Sequence, residues 1–271
     1  MLKRIITAVV AIAIFIPICF LSKTIVFPIA VSIISFMGVF EMSKCLGFHK
    51  NLWLTIPLYI LALGLPIFRI FVKSNLHFLS YVPVAFIGVL IYMLAYIMLR
   101  KNKDDLKDIF SLYSLCIFVI AGFMSIELVL YMHKGTDIYL LAFLGAWICD
   151  TFAYFTGKFF GKHKLIPEIS PNKTVEGAIG GVVFTIGGFA IYCWIMNSFF
   201  EAELSYLTLC IYGLVLSVVS QFGDLIASSI KRQYNIKDYG FIFPGHGGIL
   251  DRFDGVLLVA PTLYVLNHFI G

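Results

Sequence analysis

Two stretches of the sequence carry most of the residues that could do chemistry. The first, 150–181, reads DTFAYFTGKFFGKHKLIPEISPNKTVEGAIGG, and the second, 221–255, reads QFGDLIASSIKRQYNIKDYGFIFPGHGGILDRFDG. Both combine carboxylates, cations and glycines, and neither contains a GxSxG, GxxxxGK[ST] or HExxH motif. This combination suits phosphoryl transfer, which proceeds by positioning and charge neutralisation without needing a covalent nucleophile.

The carboxylates of the second stretch predict a metal site. Asp224, Ser228 and Lys231 are spaced i, i+4, i+7, and Asp251 and Asp254 are spaced i, i+3, so each set shares one face of a helix. A carboxylate inside a membrane helix costs at least about 2.5–3.5 kcal/mol, so it needs a partner. Two acids from facing helices can hold Mg²⁺, with substrate phosphates completing the coordination. The competing interpretation is a set of structural salt bridges with nearby basic residues.

The remaining polar residues of both stretches predict phosphate contacts. Glycines such as Gly247 and Gly248 let backbone N–H groups approach a phosphate, and His246 and Arg252 can donate hydrogen bonds to it. In SPNKTVEG, Asn172 or Thr174 could cap a helix whose N-terminus also suits an anion. The lysines of 158–164 have a second interpretation, as a basic loop that contacts anionic lipid.

The composition indicates the elements that must position these residues. The chain has 271 residues, of which 61% are hydrophobic and 13% charged, whereas soluble domains carry about 25% charged residues. Long unbroken apolar runs favour helices of about 20 residues over the alternating strands of a β-barrel. We therefore predict an all-α, polytopic integral membrane bundle of about nine transmembrane helices, at 5–21, 25–43, 52–72, 78–99, 109–132, 138–157, 175–199, 204–230 and 248–269.

The basic residues predict how these spans are oriented. With the N-terminus in the cytoplasm, 16 of the 20 lysines and arginines lie on the cytoplasmic side and 4 on the other, as the positive-inside rule requires. The two polar loops, at about 158–174 and 231–247, then both face the cytoplasm. No pattern of basic and aromatic residues suggests nucleic-acid binding.

The second stretch resembles the phosphatidate cytidylyltransferase family, also called CDP-diacylglycerol synthases. The family signature is matched by Ser228, Lys231-Arg232, Lys237-Asp238, Gly240, Phe243-Pro244, His246-Gly247-Gly248 and Asp251-Arg252-Phe253-Asp254. SPNKTVEG and the pattern Asp150…AYF…GK resemble the family as well. The strong match covers about 137–271, which we interpret as a catalytic part with helices six to nine. Residues 1–136, with helices one to five, resemble the family only as apolar helices.

The resemblance implies a reaction in which CTP and phosphatidic acid give CDP-diacylglycerol and pyrophosphate. The lipid phosphate would attack the α-phosphorus of CTP, and Asp224 and Asp251, with Asp254, would bind Mg²⁺ or another divalent cation. The implied catalytic residues are Asp224, Asp251, Lys173, Lys231, Arg232 and His246. The implied substrate-binding residues are Asn172, Lys173, Ser228, Lys231, Arg232, Lys237, His246, Gly247, Gly248 and Arg252. A homodimer in the bacterial inner (plasma) membrane, with its active site facing the cytoplasm, is also implied.

Other functions remain open from the sequence. A CTP-dependent polyprenol or phytol kinase would transfer the γ-phosphate with similar residues. A CDP-alcohol phosphotransferase would need a DG…AR…G…D…D pattern, which this sequence lacks. A transporter would favour inverted repeats and acids near the bilayer centre, and neither is visible here. The two remaining membrane acids are given structural interpretations: Glu41 near the interfacial end of span two, and Glu127 as an interhelical hydrogen-bonding residue in span five.

Overall fold

The computed structural model describes residues 2–72, 74–100, 106–242 and 247–271. Helices make up most of the described chain, with one small β-hairpin. The elements are α1 (Leu2–Phe20), α2 (Val26–Cys45), α3 (Leu52–Phe71), α4 (Asn75–Arg100), α5 (Leu106–Leu130), α6 (Gly135–Ile138), α7 (Leu141–Phe160), β1 (Lys164–Ile166), β2 (Ser170–Thr174), α8 (Val175–Phe200), α9 (Tyr206–Gln233), α10 (Leu250–Phe253) and α11 (Val256–Phe269).

Seven segments of the described chain are long and apolar enough to cross a membrane: α2, α3, α4 to Leu99, α5, α6 with α7, α8 and α9. Two further apolar helices, Val9–Phe20 and Val256–Phe269, are shorter. The predicted all-α, polytopic membrane fold is therefore confirmed, and the count of nine spans stays a prediction.

The last predicted span, 248–269, is divided into α10 and α11. Asp254 and Gly255 form a turn between them, and the Asp254 side chain accepts the Gly255 N–H at 2.8 Å. An aspartate that bonds to the backbone in this way competes with the helical hydrogen bonds. Asp251 and Asp254 consequently do not belong to one continuous helix, contrary to the prediction.

The chain forms two compact units. The first comprises residues 1–127 and 236–252, and the second comprises 128–235 and 253–271. The predicted division into 1–136 and 137–271 is a separate proposal, drawn from the family resemblance, and stays a prediction.

In the first unit, α2 packs against both α3 and α5. Ser32 on α2 donates a hydrogen bond to the Leu63 carbonyl on α3 at 2.9 Å. A side chain at Gly38 would meet Val119 and Phe123 of α5, so glycine lets these two helices approach closely. This packing fixes the helix that carries Glu41.

The acid in span five lies in the core of the first unit. Glu127 is fully buried, and its carboxylate makes no hydrogen bond to the described residues. Its oppositely charged neighbour is Arg69 on α3, which is itself buried and donates to Asn75 at 2.6 Å. Glu127 thus interacts with a neighbouring helix through charge, and within the described part of the chain the predicted hydrogen bond is not found.

In the second unit, α7, α8, α9 and α11 form a bundle whose closest approach is between α7 and α8. Gly177 and Gly181 are one turn apart on α8, and a Cβ at either would press on α7, at the carbonyl of Ala153 (2.6 Å) or of Cys149 (3.0 Å). Small residues at this spacing let membrane helices pack backbone to backbone. The contact sets the position of Asp150, one residue beyond Cys149.

The hairpin of the second unit leads directly into α8. Strands β1 and β2 pair antiparallel, with Lys164 opposite Thr174 and Ile166 opposite Ser170. Thr174 then caps α8, because its hydroxyl accepts the Gly177 N–H at 3.1 Å. Of the two N-cap candidates in the sequence, the structure selects Thr174 and leaves Asn172 in the strand.

Candidate functional site

A cluster of three carboxylates lies in the second unit. Asp150 is on α7, Asp224 is on α9, and Asp254 is in the turn before α11. Burial, followed by the negative charges of Asp224 and Asp150, raises the pKa of Asp254 to about 8. Three separate elements therefore bring carboxylates close enough for the charges of Asp224 and Asp150 to disfavour ionisation of Asp254.

Lys173 lies against this cluster. Its Nζ is 2.5 Å from Oδ2 of Asp224, and both side chains are about a quarter exposed. The other oxygen of Asp224 accepts the Ser228 hydroxyl at 3.2 Å, one turn further along α9. Strand β2 and helix α9 thus meet at Asp224, and the predicted shared helix face of Asp224 and Ser228 is present.

The basic residues at the end of α9 extend the site towards the surface. The positive charge of Lys231 acts to lower the pKa of Asp254, against the larger effect of burial. Arg232 is exposed, and its Nε is 3.5 Å from the Ile169 carbonyl in the hairpin. Asn172 is exposed, and because neighbouring strand residues point to opposite faces, it does not share the face of Lys173.

Other predicted site residues belong to the first unit, in the segment 236–252, which we call the signature segment. Here Oδ2 of Asp251 accepts the backbone N–H groups of Tyr239 at 2.8 Å and Gly248 at 3.0 Å. Gly247 has a φ of +85°, and a Cβ on it would lie 2.8 Å from the Asp251 carboxylate. Asp251 therefore links two parts of the segment, at Tyr239 and at Gly248, through its hydrogen bonds. The left-handed backbone at position 247 favours glycine.

The remaining predicted residues of the signature segment are placed as follows. Lys237 and Arg252 are exposed, whereas Gly248 is buried. His246 lies outside the described residues. Their predicted contacts with substrate stay predictions.

Glu41 is a residue of this region that the sequence interpretation missed. It is 2% exposed, and it accepts the Ile249 N–H at 3.0 Å and the Leu250 N–H at 2.9 Å, one on each carboxylate oxygen. The sequence places Glu41 more than 200 residues from its partners. No spacing or periodicity in a single sequence signals such a contact.

The donor chemistry of the second-unit cluster fits a divalent cation. Carboxylate oxygens are hard ligands, and Mg²⁺ is usually held by one or two of them with substrate phosphates. Burial is the main cause of the raised pKa of Asp254, and the charges of Asp224 and Asp150 add to it against the opposing charge of Lys231. Among the described residues, no three His, Cys, Asp or Glu side chains converge closely enough to form a complete metal site. That Asp224 and Asp251 share one cation stays a prediction.

Comparisons with known proteins cover nearly the whole chain. A model described as "Cytidylyltransferase family" matches residues 2–270. Curated relatives named phosphatidate cytidylyltransferase include one from Staphylococcus saprophyticus, 36% identical over 273 residues, and one from Staphylococcus haemolyticus, 35% identical over 269 residues. A third, from Staphylococcus aureus, is 37% identical over 268 residues. In each case the alignment covers 97% of this chain and 97% of the relative.

Proposed function

This chain belongs to the cytidylyltransferase family, and we propose that it is a phosphatidate cytidylyltransferase, which makes CDP-diacylglycerol for phospholipid biosynthesis. Its substrates would be CTP and phosphatidic acid, and its products CDP-diacylglycerol and pyrophosphate. The observation that carries the proposal is the meeting of Lys173 with Asp224, beside Asp150 and Asp254. Relatives that carry this name align with the chain over 97% of its length.

The cluster of the second unit would hold the divalent cation. Asp224 and Asp254 would be its protein ligands, with Asp150 adding negative charge beside them. When bound, Mg²⁺ neutralises charge on the triphosphate and on the departing pyrophosphate. The further role of Asp251 as a ligand rests on the family signature.

The basic residues would bind and orient the phosphates. The ammonium nitrogen of Lys173 is buried against Asp224, and Lys173 would exchange this ion pair for an incoming phosphate at the same place. Lys231, Arg232 and Asn172 would hold the remaining phosphate oxygens. Such contacts contribute by fixing two anions in line, which is the main protein contribution to phosphoryl transfer.

The reaction would proceed by direct displacement. An oxygen of the phosphatidate phosphate forms a bond to the α-phosphorus of CTP, and the bond from that phosphorus to the β-phosphate oxygen breaks. Pyrophosphate leaves with the electron pair, and no covalent enzyme intermediate is needed. Lys173 and Lys231 would stabilise the charge that develops on the leaving group.

The location of the site would match one lipid and one water-soluble substrate. The distribution of basic residues predicts that the two polar loops, at about 158–174 and 231–247, face the cytoplasm, where CTP is found. We propose that the active site lies at the cytoplasmic boundary of the plasma membrane, and that the protein works as a homodimer, as the family resemblance implies.

Position-specific radiolabelling tests the proposal. Purified protein would be given phosphatidic acid in vesicles with CTP labelled at the α-phosphate or at the γ-phosphate, with and without Mg²⁺. We expect α-label in lipid and γ-label in pyrophosphate, only when Mg²⁺ is present. Lipid labelled from the γ-phosphate would show a CTP-dependent kinase instead, and ion or solute flux without CTP would favour a transporter.

A further inference from the structure

We propose that Glu41 is a positioning residue, which holds the backbone of the signature segment in the shape that presents Asp251. For the role of Asp251 in turnover, this inference rests on the proposed function. The geometry itself does not depend on it. Glu41 lies on α2, and every contact used below lies within the first unit.

The hydrogen bonds of Glu41 are the first support. Each carboxylate oxygen accepts one backbone N–H, from Ile249 or from Leu250, at 3.0 and 2.9 Å. The side chain is 2% exposed. A buried carboxylate with two such bonds fixes both the position and the direction of the peptide groups that it binds.

The glycines of the segment are the second support. A Cβ on Gly240 or on Gly248 would overlap the Glu41 carboxylate. Gly240 has an ordinary backbone conformation, since no left-handed φ occurs there, so its lack of a side chain is explained by this contact. The backbone of the segment therefore packs directly against the Glu41 carboxylate at two separate glycines, Gly240 and Gly248.

Glu41 and Asp251 accept hydrogen bonds from the backbone N–H groups of three consecutive residues. Asp251 accepts the N–H of Gly248, and Glu41 accepts the next two, from Ile249 and Leu250. Moving Glu41 would release the backbone N–H groups of Ile249 and Leu250, the two residues that directly precede Asp251. The effect on catalysis is thus transmitted through Asp251, and Glu41 needs no contact with substrate.

The first experiment compares Glu41→Gln with Glu127→Gln. Glutamine has nearly the same shape, but it offers one acceptor oxygen and turns an NH₂ towards the second N–H donor. Because hydrogen bonds to a charged group are among the stronger ones, we expect Glu41→Gln to lower kcat by about tenfold, with KM for CTP within about twofold. We also expect faster amide hydrogen exchange in peptides covering 247–253.

Glu127→Gln is the matched control, since it removes another buried carboxylate of the same unit, on α5. It should leave exchange in 247–253 unchanged. A merely structural role of Glu41 would lower the melting temperature without changing kcat per folded molecule. That result, or unchanged exchange in Glu41→Gln, would overturn the proposal.

The second experiment is a double-mutant cycle with Gly240→Ala. In the wild-type background the new methyl group should displace the Glu41 carboxylate, lowering kcat and increasing exchange in 247–253. In the Glu41→Ala background the space is open, so Gly240→Ala should have little further effect. Additive effects of the two changes on exchange would refute the contact as the cause.

The readouts separate this inference from the proposed function. If the protein does not use CTP, the exchange measurements still test whether Glu41 holds the signature segment. If exchange responds as expected while turnover of CTP does not, Glu41 shapes the segment without serving catalysis, and the positioning role is rejected. If Glu41→Ala does not fold, Glu41→Gln and Gly240→Ala each test the contact alone, through exchange and kcat.

Discussion

Carboxylates have different partners in the two units. In the first, Glu41 and Asp251 each accept two backbone N–H groups, so their charge organises the protein's own chain. In the second, Asp224 pairs with Lys173, and Asp254 lies beside the charges of Asp224, Asp150 and Lys231. We propose from this difference that the first pair shapes the backbone of the site, whereas the second pair, which lies among other charged side chains, binds the cation.

The largest effect that would test this comparison is expected at Asp224. Asp224→Asn removes the charge that pairs with Lys173 and that would bind the cation, so we expect kcat to fall by about a hundredfold or more. Turnover would be measured in vesicles, with folding checked by the melting temperature. Asp137→Asn on α6 is a control of the same type in the same unit and should retain activity. Near-normal turnover of Asp224→Asn would show that Asp224 is not a ligand of the cation.

Asp251→Asn is the sharpest test of the comparison between the two units. Asp251 shapes the backbone through its two hydrogen bonds, and the family resemblance also implies that it binds the cation. Asparagine keeps one carbonyl oxygen, and the structure shows a single oxygen, Oδ2, accepting both N–H groups. If Asp251 also binds the cation, kcat falls about a hundredfold while amide exchange in 247–253 stays as in the wild type. If it only shapes the segment, most of the activity remains, and the family-based role is wrong.

The parts of this comparison that the sequence predicts are those with a local signal. Long apolar runs predicted the membrane fold, because a bilayer requires about 20 such residues per helix. The spacing of Asp224 and Ser228 predicted a shared helix face, and the two side chains are hydrogen-bonded at 3.2 Å. Both signals come from residues close together in the chain.

The parts that the sequence does not predict depend on distant contacts. Glu41 and Leu250 are separated by 209 positions, and their contact follows from how α2 packs. Thr174 and Asn172 were equal N-cap candidates until the hairpin placed one at the end of β2. The turn at Asp254 also has no signal in hydropathy, since a single carboxylate at a helix start is equally compatible with a continuous helix.

A smaller effect is expected at Lys173. Lys173→Ala removes a charge-assisted contact to phosphate and leaves Asp224 without its ion-pair partner. We expect KM for CTP to rise by about tenfold, because hydrogen bonds to charged groups contribute about 1.5–3 kcal/mol. Lys164→Ala is the control, since this lysine is exposed on the same hairpin and donates to the Pro171 carbonyl. An equal rise in KM for CTP in the two variants would contradict a contact between Lys173 and phosphate.

The smallest effect concerns the pH dependence of cation binding. Because the pKa of Asp254 is raised from 3.8 to about 8, the folded protein binds more protons than the unfolded chain between those values. Its stability without Mg²⁺ should therefore fall as the pH rises from about 4 to about 8, by less than about 1.4 kcal/mol per pH unit.

Binding of a cation would displace the same proton, so the Mg²⁺ concentration for half-maximal thermal stabilisation should fall as the pH rises from about 6 to about 8. Melting curves of the wild type and Asp254→Asn would measure both slopes, and the variant should lose each of them. If the wild type and the variant respond equally to pH, Asp254 does not bind the cation. Asp254 would then have a structural role in the second unit, comparable to that of Glu41 in the first.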